Sequence, residues 1–568
     1  MFLTPKERVK EYTEKGWWGD IVVDDLLQRN RDAKPDQMAL VDPSNREMFD
    51  GCKPRRLTWA ELGEEVDRMA AIFLDNGLVK DDIITYQLPN TIETVIVALA
   101  AARIGLIISP VVMPYRKHEL DYILGIVEPK AIVTVATFAK HDHAKMALEL
   151  DWHGKEPKVF VLGGNAPEGT IDTDKVMSDA GPEKAVAYRA ENPIDPAEVF
   201  TIFWTSGTEA RPKGVPRDHN LWIVNAKMVT ELADLREGET LLNPFPLVNI
   251  ASFGMVMPWL WRCGTMVLHH PFDLSVFLNQ IVEERVNYTI AAPAILASIL
   301  KSDELLKTID LSSVRAIGSG SAPLAPWTIE GFANKFGIEI CNLYGSNEGA
   351  TLFSNQRAVP DHEDRARYFP RFGVEGLDWK GDVASMVVTR LVDPDTNEEI
   401  TEIGVPGELR FQGAHTFTGY YKLPEVTKNA FDDQGFYCTG DLFEIAGEGP
   451  NPRFYRFVGR CKDIIVRGGM NISPAEIDDL LAGHPSFIEA AVVGVPDDAL
   501  GERMCAAVVP KGTDIPDIKE LTQWLKDRGV AVFKLPESME VVDALPRNPM
   551  NKVLRKDLLA KVLKQRGA

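Results

Sequence analysis

Residues 201–214, TIFWTSGTEARPKG, run an apolar segment into a hydroxyl-rich turn that ends on a lysine. Such a loop can aim backbone N–H groups at a polyphosphate, together with the hydroxyls of Thr205, Ser206 and Thr208 and the Lys213 ammonium. Gly207 leaves room there for close approach. It is not a Walker A loop, because no Gly-Lys-Ser/Thr opens a helix at this point. Further along stand GSGSAPL (318–324), NLYGSNEG (342–349), YCTGDL (437–442), FVGRCKDIIVRGGMNI (457–472) and LPRNPMNKVLR (545–555). They offer a small-residue loop that a flat ligand can approach, an aromatic and one carboxylate beside a tight turn, and a lysine in a polar loop. Taken singly, each also reads as a glycine turn, a structural acid or a solvated basic tail.

The elements that must position these residues alternate. Short β-branched runs at 131–135, 159–162, 199–205 and 288–292 read as strands, and 62–76, 274–285 and 326–336 read as helices between them. This alternation implies α/β units built on parallel sheets buried on both faces. The longest apolar stretch, 94–114, is broken by Arg103, Gly105 and Pro110, so it reads as a buried helix followed by a strand rather than a membrane span. After about residue 387 short strands and glycine turns imply a β-rich subdomain, to about 461. The tail from 462 reads as a small α+β domain, with helices at 474–482 and 518–528 and strands at 489–495 and 505–509.

The 568 residues are 45% hydrophobic and 26% charged, an ordinary globular composition with room for several cores. Lys plus Arg number 62 against 83 Asp plus Glu, a net charge of −21 that disfavours nucleic acid as a partner. Six scattered cysteines with no zinc spacing read as reduced thiols, and the charged N-terminus has no secretory signal, so a cytoplasmic protein is expected.

The joint order of the six motifs resembles the adenylate-forming superfamily, which includes acyl- and aryl-CoA ligases, aryl-acid adenylating enzymes, peptide-synthetase adenylation domains and beetle luciferase. The resemblance runs from LTWAEL (57–62) through GELRFQG (407–413) to VLRKDL (553–558). It implies a large N-terminal domain, 1–461, and a small mobile C-terminal domain, 462–568, with its hinge at Lys462. The implied reaction joins a carboxylic acid to ATP, releases pyrophosphate, and passes the acyl group from AMP to a thiol. Lys552 matches the lysine that reaches the α-phosphate, Thr205–Thr208 and Lys213 the phosphate loop, and Glu348 the magnesium carboxylate. Gly320, Ser321, Ala322, Asn342, Tyr344 and Gly345 match the adenine site; Asp441, supported by Arg460, matches the ribose site. Arg467, Gly468 and Gly469 match the coenzyme A tunnel.

An acid pocket is implied at Asn249, Ala251, Ser252, Phe253, Gly254, Gly318 and Ser346. No Lys or Arg stands in its main segment, 245–255, so an apolar ring-bearing or medium-length monocarboxylic acid is expected. Five positions depart from the pattern: Glu209 and Ala210 in the phosphate loop, Asn347 before the magnesium carboxylate, Asn551 before the lysine, and Asn249, where many relatives carry a histidine or an aromatic. None removes a charged catalytic residue. The resemblance therefore implies an acid–CoA ligase using ATP, Mg2+ and coenzyme A, as a monomer or homodimer. Loading of a carrier-protein phosphopantetheine shares the first step and is the alternative acceptor. A non-catalytic nucleotide- or acyl-binding protein on the same fold is the other alternative.

Overall fold

The computed structural model describes residues 1–205, 212–320, 324–461, 463–467, 470–497, 500–528, 530, 532–548 and 552–566. Among them, two large sheets form the body of an N-terminal domain. One has seven strands and is parallel except for an antiparallel edge at Gly214–Asp218. The other has eight strands, parallel in its interior and closed at both edges by antiparallel partners. The helix Ile92–Ile104 is buried on every side, since IETVIVALAAARI has no polar face to turn to water. It leads into the strand Ile107–Pro110, as the broken apolar run suggests. The helix Trp59–Asp75 starts from a capping box, with the Thr58 side chain accepting from Glu61 N–H and the Glu61 carboxylate accepting from Thr58 N–H. Trp59 stacks on Trp259 at 5.0 Å, and the Trp259 indole donates to the carbonyls of Ala39 and Gly264.

A five-stranded antiparallel sheet follows. It draws in the strand Tyr368–Pro370, ahead of the expected start near 387, because that strand pairs along Phe454–Arg460. The smaller C-terminal sheet is built on a long hairpin, Phe487–Asp497 with Gly501–Pro510. These strands outrun the apolar cores read from sequence, since backbone pairing continues beyond the last buried side chain. The helix Pro474–Ala482 lies where expected, whereas the helix begun at Ile518 ends at Lys526.

The elements carrying the chemistry are, in chain order, β1 (Val199–Trp204), β2 (Gly214–Asp218), α1 (His219–Leu232), α2 (Ile250–Arg262), β3 (Tyr288–Ile290), β4 (Ala316–Gly320), β5 (Glu339–Gly345), β6 (Tyr437–Ala446) and β7 (Phe454–Arg460). Just past β5, Gly349 has φ of +105°, and a Cβ there would stand 2.2 Å from the His415 carbonyl oxygen. Gly349→Ala is therefore expected to cost about 3 kcal/mol of stability. Chemical unfolding checks this; an unchanged midpoint would contradict it.

Candidate active site

β1 and β2 pair from Val199 to Gly214, so the phosphate-type loop between them has a rigid base. Thr205 N–H donates to the Lys213 carbonyl at 3.0 Å, and Lys213 N–H donates to Thr205 Oγ1 at 3.2 Å. Ser206, Gly207, Thr208, Glu209 and Ala210 lie outside the described residues. The Lys213 ammonium stands 4.7 Å from the centre of the Tyr420 ring, and the Tyr420 hydroxyl donates to Glu348 Oε1 at 2.9 Å. A cation, an aromatic ring and a buried carboxylate thus form one row. Asn347, one of the departures from the family pattern, makes two bonds that a backbone needs. Its Nδ2 donates to the Trp204 carbonyl, while Oδ1 accepts from Ile250 N–H. It ties the end of β1 to the start of α2 beside Glu348.

On the other wall, β6 and β7 set Asp441 opposite Arg460. Arg460 Nε lies 3.3 Å from Asp441 Oδ1, and the Tyr344 hydroxyl donates to Oδ2 at 2.7 Å. Burial pushes the Asp441 carboxyl up from its ordinary value; Arg460, Tyr344 and Lys552 pull against that. Burial, and then the Asp441 charge, pushes the Tyr344 phenol well up. The Asn342 amide donates to the carbonyls of Arg365 and Ala366, which leaves Oδ1 as its acceptor. A Cβ at Gly320 would stand 2.2 Å from the Leu343 carbonyl oxygen, so strand crowding alone demands glycine there. Gly345 is exposed at the end of β5. Ser321 and Ala322 lie outside the described residues.

From the small domain, Lys552 enters the field of Arg460, Asp441 and Glu348. Burial, then Arg460, lowers the pKa of its ammonium, while both carboxylates oppose the shift. Asn548 clasps its backbone, Oδ1 accepting from Lys552 N–H and its own N–H donating to the Lys552 carbonyl, both at 2.9 Å. Asn551, Lys462, Gly468 and Gly469 lie outside the described residues. Arg467 donates to Glu537 at 2.7 and 3.0 Å, and Glu537 also takes Arg503 at 3.3 Å.

The residues read as an acid pocket divide. Asn249 caps α2, its Oδ1 accepting from Ser252 N–H. Phe253 is 1% exposed and packs edge-on against Phe203, so its ring belongs to the core between β1 and α1. The direction a side chain would take from Gly318 is filled by the Tyr288 hydroxyl, which a Cβ there would meet at 2.5 Å. Ala251 is exposed; Ser346 is half-buried, with its N–H bonded to the Ala350 carbonyl. A Cβ at Gly254 would touch Asn225 Oδ1 on α1 at an ordinary contact distance, 3.9 Å.

Sequence reading missed Tyr420, Asn548, the buried Arg217 and the half-buried Arg8. Arg217 is fully buried and donates to the carbonyls of Asn347 and His415, both at 3.1 Å, and burial lowers its pKa to about 10. Arg8 donates to the carbonyls of Gly413, Thr416 and Phe417. Together they brace the two loops that hold Glu348 and Tyr420. The Tyr following Gly419 was a signal available in the sequence for Tyr420; nothing local marks Arg8. Tyr420→Phe is expected to raise the magnesium concentration needed for half-maximal pyrophosphate release and to slow that release about tenfold. An unaltered magnesium titration would contradict the role.

A model of the AMP-binding enzyme family matches residues 27–421, and one of the AMP-binding enzyme C-terminal domain matches 476–552. The chain belongs to this adenylate-forming enzyme family. It is 28% identical over 569 residues to the medium-chain fatty-acid–CoA ligase of Escherichia coli K12, covering 98% of this chain and 94% of that one. It is 29% identical over 563 residues to pyochelin synthase PchD of Pseudomonas aeruginosa, covering 98% and 95%. Among solved structures, ATP-bound MatB from Rhodopseudomonas palustris superposes with a TM-score of 0.76 at 27% identity, covering 95% and 99% of the two chains. No helix among the described residues is long and apolar enough to cross a membrane.

Proposed function

We propose that this enzyme is an AMP-forming carboxylic acid–CoA ligase. The observation that carries the reading is the meeting of Lys552 with Asp441, Arg460 and Glu348 across two domains. In the first step a carboxylate oxygen attacks the α-phosphorus of ATP, an acyl–phosphate bond forms, and the bond to the β-phosphate breaks. Pyrophosphate leaves with that electron pair. Negative charge grows on the phosphoryl oxygens, and the half-buried Lys552 offsets it. Asp441 accepts the ribose hydroxyls with the lone pairs that Tyr344 and Arg460 leave free. Asn342 Oδ1 accepts from the adenine amino group. Thr205 and Lys213 hold the outer phosphates.

Among the described residues no group of three or more His, Cys, Asp or Glu is arranged to hold a metal. Magnesium arriving on ATP needs no such group, since one protein carboxylate suffices beside phosphate and water oxygens. Glu348 would hold it, and the ion would neutralise phosphate charge.

In the second step the small domain turns about Lys462, Lys552 withdraws, and a thiol sulfur attacks the acyl carbon. The carbon–oxygen bond to AMP breaks, and the thiol proton passes to solvent. Domains 1–461 and 462–568 are the two bodies of this motion, a movement of the kind that limits turnover in many enzymes. Coenzyme A would pass Gly468 and Gly469, with Arg467 near its path. Arg467 and Arg503 are both paired to Glu537, so a 3′-phosphate would compete with that carboxylate.

The match to pyochelin synthase PchD, as strong as that to the fatty-acid–CoA ligase, favours carrier-protein phosphopantetheine as the second acceptor. The test is to supply Mg-ATP and a panel of aliphatic, alicyclic and aryl acids, with and without coenzyme A. Mass spectrometry then looks for acyl-CoA. Its appearance with one class of acid supports the ligase; acyl-adenylate that coenzyme A never consumes moves the assignment to a carrier protein.

A further inference from the structure

A cavity of about 120 Å³ lies outside the carboxyl ends of three parallel strands of the seven-stranded sheet, Ile83–Gln87, Ala131–Val135 and Val159–Leu162. From the first of these strands the chain passes to a neighbour on one side, Ile107–Pro110, and next to one on the other, Ala131–Val135. Where strand order reverses in this way the connections part, leaving a crevice of the kind in which α/β proteins bind ligands. The buried Leu88, Val135 and Leu162 form its apolar inner wall, and the exposed Thr137 and Asn165 mark its rim. Its volume suits a molecule of a few heavy atoms.

Thr91 is 3% exposed and lines this cavity. It occupies the N-cap of the helix Ile92–Ile104, where a threonine hydroxyl ordinarily accepts a backbone N–H of the first turn. Here it accepts none, and Asp42 Oδ1 takes the Ile92 N–H instead, at 2.9 Å. The Thr91 hydroxyl makes no hydrogen bond among the described residues, yet its oxygen is not sealed in, so it is open to whatever fills the cavity. Arg46, Asp50 and Glu93 line the same space. The Arg46 guanidinium is divided among Asp42, Asp50 and Glu93, at 2.6, 3.0 and 2.9 Å. Arg55 reaches Glu93 as well, but is shared with Glu65. Four carboxylates thus divide two guanidiniums, and the polar wall is short of positive charge.

We propose that this cavity binds a small primary ammonium ion with a short apolar tail, at a site that shares no residue with those proposed for ATP and the acid. An ammonium donates three hydrogen bonds and accepts none. Thr91 Oγ1, Asp50 and Glu93 supply the acceptors, the charge offsets the excess carboxylate, and the tail rests on Leu88, Val135 and Leu162. The site bears on the acid segment through Asn90, which stands in the wall between Leu88 and Thr91. Asn90 Nδ2 donates to the Phe245 carbonyl at 2.6 Å, and its Oδ1 accepts from Leu247 N–H at 2.9 Å, so it holds the start of 245–255. An occupant that steadies Leu88 and Thr91 steadies that segment with them.

The test is titration calorimetry of the full-length enzyme with propylammonium chloride, against propanol, sodium propionate and sodium chloride. One propylammonium is expected to bind per chain with a Kd of about a millimolar, and the other three not to bind. Thr91→Val, close in shape, is expected to weaken binding about tenfold and to melt no lower than wild type, because no internal hydrogen bond is lost. Thr91→Ser keeps the hydroxyl and is expected to bind within a few-fold of wild type. Hydrogen exchange over 245–255 is expected to slow as propylammonium saturates. No saturable binding, propanol or propionate binding as tightly, or undiminished binding or a lowered Tm in Thr91→Val would overturn the site. Saturation that leaves exchange over 245–255 unchanged would overturn the coupling. None of these readings needs turnover, so an enzyme inactive with every acid would contradict the proposed function alone.

Discussion

Lys552→Ala is expected to slow pyrophosphate release about a thousandfold or more, while thioester formation from supplied acyl-adenylate stays within a few-fold of wild type. The asymmetry follows from where the charge is needed. In the proposed first half-reaction the ammonium would face the phosphoryl oxygens that gain charge, within reach of the charges of Asp441, Arg460 and Glu348. In the second, the proposed rotation has removed it. Its loss also leaves the field of Arg460 and the two carboxylates without a fourth partner, so binding of ATP changes too, but less than turnover. Burial and Arg460 lower the pKa of this ammonium. The adenylation rate should therefore fall on the alkaline side at a pH below that of ordinary lysine titration, because the neutral amine offsets no charge. Single-turnover assays of the two half-reactions separate the effects. Equal damage to both would contradict a withdrawing Lys552.

Asp441→Ala should damage both half-reactions, since AMP remains bound through each. The two charge-assisted bonds proposed to the ribose would be lost, and Arg460 is left without its cross-strand partner. Together these are expected to lower kcat/KM for ATP about a hundred- to a thousandfold. The wild type should show the milder, reversible form of this loss in acid. Burial raises the Asp441 pKa, so the carboxylate gains a proton at a higher pH than an ordinary aspartate does. Below that point it can no longer accept two hydroxyls at full strength, and KM for ATP rises as pH falls. Titration calorimetry with ATP across the acidic range checks the sign. Affinity that improves on acidification would contradict the role.

How much of this was legible from residues alone depended on distance along the chain. The strands at 131–135 and 159–162 and the helix at 326–336 were readable because a β-branched run or a repeating apolar face declares itself within a dozen residues. The support of Asp441 by Arg460 was implied by the family resemblance, and the two residues face each other across β6 and β7. Tyr420 was hidden because its partners lie 72 and 207 positions away, at Glu348 and Lys213, and only the packing of three sheets brings them together. Arg8 was hidden for the same reason, reaching carbonyls some four hundred residues further on. Phe253 looks like a pocket wall by its place in a motif. Its ring direction is settled by α1, whose Trp222 and whose neighbour Phe203 on β1 claim it for the core. The short strands Ile465–Arg467 and Ser538–Val541 carry too few residues for periodicity to mark them.

The central claim is that this chain makes an acyl-adenylate, and the most direct measurement follows the nucleotide products. Purified enzyme with Mg-ATP should release pyrophosphate only when a suitable carboxylic acid is present, and AMP only when a thiol acceptor is supplied as well; Lys552→Ala should release almost no pyrophosphate. Release of ADP and phosphate, or of pyrophosphate at a rate indifferent to acid, would contradict the account.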